Sequence, residues 1–110
     1  MPEPAAWGKL TAMDREKIVT ILHEHAAEIR ARGVTRLGLF GSTARGDTRE
    51  DSDIDVVVDV APGRKFSLID LAGLRVFLCD LFQHETDVVI RQDLRPDFRE
   101  EIDRETVQVL

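Results

Sequence analysis

Two aspartates, Asp53 and Asp55, open a run dominated by Ile and Val, Ser52-Asp-Ile-Asp-Val-Val-Val-Asp-Val60. Residues two apart in a strand point to the same face, so the carboxylates lie side by side. Like charges this close disfavour each other's ionisation. Burial beside an apolar strand adds a desolvation cost. A cation between them removes both objections, and hard oxygen ligands suit Mg²⁺ or Mn²⁺. A bare Asp-x-Asp also describes two solvated carboxylates at the start of a strand, so the surroundings decide. Gly41-Ser42 is separated from Asp53 by ten residues and follows an apolar stretch. A glycine there lets backbone approach a ligand closely. A serine hydroxyl can cap a helix or meet a phosphate. If residues 43 to 46 begin a helical turn, its free N–H groups point at the same place. That is an anion cradle opposite a cation site, the pair a Mg²⁺-bound triphosphate requires; a plain strand-to-turn cap uses the same residues. Asp87, in Thr86-Asp-Val-Val-Ile, supplies a third carboxylate if its strand pairs beside the first. Three carboxylates can hold two cations roughly 4 Å apart, clamping the attacking and leaving oxygens of a phosphoryl transfer.

The elements that must position these groups alternate along the chain. Residues 12 to 31 read as a helix, with Ile18, Ile21, Leu22, Ala26 and Ile29 forming one apolar stripe, Thr11 as N-cap and Gly33 as the stop. Residues 35 to 40 read as a short strand ended by Gly41, and 54 to 60 as a β-branched strand. Ser67 with Asp70 makes a capping signature for a helix over 67 to 82. Residues 86 to 90 read as a third strand, Pro96 opens a helix to about Arg104, and the tail Thr-Val-Gln-Val-Leu reads as an edge strand or an extended segment. This is an α/β (α+β) layered domain, a small mixed sheet of three or four strands flanked by helices.

The whole chain, 1 to 110, has the size of one domain, with residues 1 to 9 loose and Trp7 stapling the first helix to the body. Lys plus Arg is 15 against 21 Asp plus Glu, a formal charge of −6, which disfavours general nucleic-acid binding. The single cysteine, Cys79, excludes an internal disulfide and reads as a core residue of its helix. No apolar run approaches the ~20 residues of a membrane span, and the N-terminus lacks a signal-peptide pattern, so a cytoplasmic protein is expected. His23 and His25, two apart on a helix, face different sides; His84 reads as a loop residue and the charged run 97 to 105 as a solvated helix face.

Gly41-Ser42, then Asp53-Ile54-Asp55, and later Asp87 resemble the signature of the nucleotidyltransferase superfamily that includes DNA polymerase beta. The stretch LFGSTARGDTREDSDIDVVVD is most similar to the minimal nucleotidyltransferases, or MNT domains, with no departure from the family pattern in the signature residues. The match is sharpest over residues 37 to 59. The resemblance implies a nucleotidyltransferase-like fold. It implies that Asp53 and Asp55 ligate two metal ions, and that Asp87 ligates the catalytic ion and acts as base or positions one. Gly41 and Ser42 would hold the β- and γ-phosphates. Arg45 and Arg49 are candidates for neutralising phosphate charge, or for ion pairs within the acidic loop around Asp47, Glu50 and Asp51. Arg64 and Lys65 are weaker candidates of the same kind.

The reaction so implied moves a nucleoside monophosphate from an NTP, with ATP expected, to a hydroxyl. A chain this short has no room for an acceptor-binding domain, so a partner is expected to bring the acceptor. Small MNT proteins resemble the antitoxin of HEPN/MNT toxin–antitoxin pairs, which in the family attaches AMP to a tyrosine of a HEPN ribonuclease toxin. A hetero-oligomer with that toxin is implied; this chain has no tyrosine of its own. Two alternatives stand beside it: an antitoxin or regulatory subunit acting by contact alone, and a small-molecule (aminoglycoside-type) nucleotidyltransferase needing a separate acceptor-binding subunit.

Overall fold

The computed structural model describes residues 14–46, 52–63 and 65–110. The elements run α1 (Arg15–Glu24), α2 (Ala26–Ala31), β1 (Val34–Leu39), α3 (Gly41–Arg45), β2 (Ile54–Val60), α4 (Leu68–Phe82), β3 (Thr86–Ile90), a 3₁₀ turn (Arg91–Asp93), α5 (Pro96–Glu105) and β4 (Val107–Gln108). Among the described residues, four strands form one mixed sheet in the order β3-β2-β1-β4. β1 is antiparallel to both β2 and β4, and β2 is parallel to β3.

The expected helix over 12 to 31 is two helices. The Asp14 side chain accepts from the Lys17 N–H at 2.8 Å and caps α1, while Thr11 lies outside the described residues, as does Trp7. The break falls at His25, whose φ of −113° and ψ of 20° leave helical geometry, with its N–H bonded back to Ile21 and Leu22. The apolar stripe survives, because Ile18, Leu22 and Ile29 are all fully buried. Gly33, at φ +103°, ends α2 as its position suggested. In α4 the Ser67–Asp70 signature is a reciprocal capping box.

Alternation sorts the sheet's two faces. Ile54, Val56 and Val58 of β2, with Leu37 and Leu39 of β1, join Ile18, Leu22, Leu74 and Leu78 of the helices in one core. The opposite face carries Asp55, Val57 and Asp59, with Gly38 paired to Val57 and Arg36 to Asp59 on β1, and Asp87 beside Asp55 on β3. α5 is tied over the far end of this face. Arg91 donates two hydrogen bonds to Asp103, at 2.8 and 2.7 Å, and lies 3.8 Å from Asp59. A polar groove of about 240 Å³ runs between Val57, Asp59 and Asp103. Cys79 is partly buried, at the margin of the core.

Candidate active site

Asp55 and Asp87 are register partners across the parallel β2–β3 pair, so their side chains leave the same face of the sheet. Asp53 immediately precedes β2 and sits two residues from Asp55. The carboxyl of Asp55 is pushed above the ordinary aspartate value, first by burial, then by the charges of Asp87, Asp53 and Glu105; the Arg45 guanidinium pulls the other way. The expected carboxylates therefore share one electrostatic neighbourhood, and Arg45 reaches it. Asp53 and Asp87 are exposed. Among the described residues no three His, Cys, Asp or Glu side chains are grouped so that they could hold a metal ion as they stand. The donor chemistry still suits a hard divalent cation: aspartate oxygens with surplus negative charge, one of them, Asp55, with its pKa raised by burial and by its acidic neighbours.

The expected turn at 43 to 46 begins two residues earlier, at Gly41, and ends on Gly46 at φ +79°. Leucine 39 is the last strand residue, because Phe40 takes the N-cap position of α3. Gly41 sits at φ +63°, and a Cβ there would lie 2.9 Å from Asp55 Oδ2. Both the backbone conformation and the close approach exclude a side chain. The turn grips Asp55 on both sides. Phe40 N–H donates to the Asp55 carbonyl at 3.2 Å, and Asp55 N–H donates to Thr43 Oγ1 at 2.9 Å. Arg15 of α1 fixes the far end of the turn by donating to the Ala44 carbonyl. Ser42 is half-buried beside Gly41. Arg49 and Arg64 lie outside the described residues, with Asp47, Glu50 and Asp51 of the acidic loop; Lys65 is exposed.

Three further residues belong to this neighbourhood. Thr43 is fully buried, and its hydroxyl pins the Asp55 backbone. His84 is no free loop residue, since Nε2 meets the Ser52 carbonyl and tethers the segment leading into Asp53. Glu105, at the end of α5, accepts from the Gly41 N–H at 2.9 Å. The run 97 to 105 is thus a solvated face only in part: Ile102 is buried, Asp103 pairs with Arg91 and Glu105 reaches the turn. A β-hydroxyl inside a polar turn was the faint sequence signal for Thr43; nothing local marked Glu105, 64 residues from its partner. His23 and His25 are spent elsewhere, on the Val109 carbonyl and on Glu28.

Residues 16–109 match the nucleotidyltransferase domain family. Protein adenylyltransferase MntA of Thermococcus cleftensis is 37% identical over 86% of this chain and 94% of its own length. A solved chain assigned as a minimal nucleotidyltransferase superposes with a TM-score of 0.77 at 35% identity, covering 88% of this chain and 97% of that one. A toxin–antitoxin structure with AMP-PNP shares the fold, with a TM-score of 0.64 at 20% identity over 87% of this chain and 72% of that one. With a carboxylate-bearing sheet face against a Gly-Ser turn, and with these relatives, the chain belongs to the nucleotidyltransferase domain family and is a nucleotidyltransferase of the minimal type.

Proposed function

We propose that residues 1 to 110 act as one catalytic domain that transfers AMP from ATP to a tyrosine hydroxyl of a HEPN ribonuclease toxin, and so neutralise that toxin in the cytoplasm. The observation that carries the reading is the crowding of Asp53, Asp87 and Glu105 around a partly buried Asp55, directly against the Gly41 turn. Two Mg²⁺ ions (or Mn²⁺) held by Asp53, Asp55 and Asp87 would neutralise that charge and polarise the phosphates. Gly41 and Ser42 seat the β- and γ-phosphates, and Arg45, with Arg49, offsets their charge. The acceptor oxygen bonds to the α-phosphorus while the bond to the bridging oxygen of pyrophosphate breaks. The hydroxyl proton passes to Asp87 or to a base that Asp87 orients. The work is positioning and electrostatics, which a rigid sheet face supplies.

The acceptor is a protein brought from outside, so a hetero-oligomer forms and no nucleic acid is gripped. α4 supports this: Leu68, Ile69 and Val76 are 83, 82 and 58% exposed on a helix whose opposite face is core. An apolar outer face of this kind marks protein contact. The same observation favours, as second reading, an antitoxin that silences by contact alone.

Incubation with α-labelled ATP and Mg²⁺ in lysate of the source cell separates the two. Label should appear on a protein band with the wild type and vanish with the Asp53→Ala/Asp55→Ala double variant. A folded wild type that labels nothing, yet still blocks its partner, returns the contact reading.

A further inference from the structure

Glu105 is a carboxylate set beside other carboxylates, with Arg45 the cation in the same neighbourhood. It ends α5, where the helix dipole disfavours a carboxylate. Its charge bears on Asp55 together with those of Asp53 and Asp87. A carboxylate serving as structural glue would be expected against a cation; the Glu105 oxygen instead accepts from the backbone N–H of Gly41 at 2.9 Å. That N–H belongs to the residue whose missing Cβ leaves room beside Asp55. A backbone N–H offers one hydrogen, and carboxylate and phosphate oxygens compete for it on equal chemical terms.

We infer that Glu105 is an internal occupant of the phosphate seat: its carboxylate holds the Gly41 N–H in the nucleotide-free chain and yields it to the triphosphate, so that Glu105 sets how tightly nucleotide is held. The inference rests on the nucleotide-binding reading above. The exchange needs a side-chain rotation alone. The Glu105 side chain is exposed, whereas the backbone after it is anchored by Thr106 Oγ1 donating to the Ile102 carbonyl at 2.7 Å and by β4 pairing to β1. The opposite role, a brace that keeps the turn in its binding conformation, predicts the opposite sign on affinity.

Calorimetric titration of the full chain with AMP-PNP and Mg²⁺, and separately with tripolyphosphate and Mg²⁺, reads that sign. Glu105→Ala should tighten both ligands by about tenfold, or 1.4 kcal/mol. Glu105→Gln, which loses the charge but keeps an acceptor oxygen for Gly41, should tighten them less. Glu101→Gln, one turn back on α5, should stay within about twofold of wild type, since exposed charges are screened. In the wild type, added nucleotide should move the Glu105 carboxyl-carbon resonance to that of a solvated glutamate. Wild-type binding with a Glu105→Ala affinity that is unchanged or weaker makes Glu105 a brace and sinks the inference, leaving the nucleotide reading intact. Equal tightening in all three variants reduces the effect to bulk charge and also sinks it. Absence of binding in wild type and in every variant defeats the nucleotide reading, and the inference with it.

Discussion

Asp55 holds the least comfortable position among the described carboxylates. Burial and three like charges raise its pKa in the folded chain, so the folded state binds protons more readily than the unfolded one. Stability therefore falls as pH climbs from the ordinary aspartate value, about 3.9, through the raised folded value, and stays reduced above it. Asp55→Asn should accordingly raise the melting temperature at pH 7 in the absence of divalent cation. The gain is under about 1 kcal/mol, or up to about 4 °C, because solvent still screens a partly exposed group. The gain should vanish below pH ~3.9, where wild-type Asp55 is neutral as well. Added Mg²⁺ should stabilise the wild type and leave the variant nearly unmoved. Thermal denaturation across pH and Mg²⁺ checks each part. Asp53 and Asp55 were legible as a pair because alternation in a β-branched run is a local rule. That Thr43 holds the Asp55 N–H was not, because it depends on how the Gly41 turn folds back on β2.

Elements with local signals came through the sequence nearly intact: β2 and β3 fall where β-branched runs put them, and α4 begins at its capping box. The helix over 12 to 31 split at His25 because a periodic apolar stripe is preserved across a bend that leaves the same face buried. β4 was the least legible element. Two residues long, it gains its strand character from the edge of β1, where Val109 N–H and Leu110 N–H both donate to the Leu37 carbonyl at 2.8 and 3.0 Å. Gly38 makes that pairing possible. A Cβ on it would stand 2.5 Å from Thr106 Cγ2 and 3.2 Å from the Val107 carbonyl. The Thr106 side chain is not free to turn away, since its hydroxyl is bonded to Ile102. Gly38→Ala should therefore lift β4 from β1 at a cost of about 1–3 kcal/mol in chemical denaturation. Hydrogen exchange should quicken at Val109 and Leu110 while the β2 amides keep their protection.

Seen whole, the molecule presents two distinct surfaces: the sheet face that bears Asp55 and Asp87, and an exposed apolar stripe on α4 on the far side of the core. Ile69→Glu and Val76→Glu test the second. Both positions are exposed, so each change should alter chain stability by no more than about 0.5 kcal/mol. Each should weaken capture of the proposed toxin partner in a pull-down while leaving AMP-PNP titration unchanged. Equal capture by the variants would move the docking face elsewhere. The separation between Asp55 and Asp87 is set by the spacing of two hydrogen-bonded strands, roughly 4.8 Å, and owes nothing to any loop or to α4. If α4 docks the partner as proposed, its stripe can change without moving the Asp55–Asp87 pair. Two proteins that differ only along that stripe would then differ in the partner they capture while keeping the same carboxylate spacing.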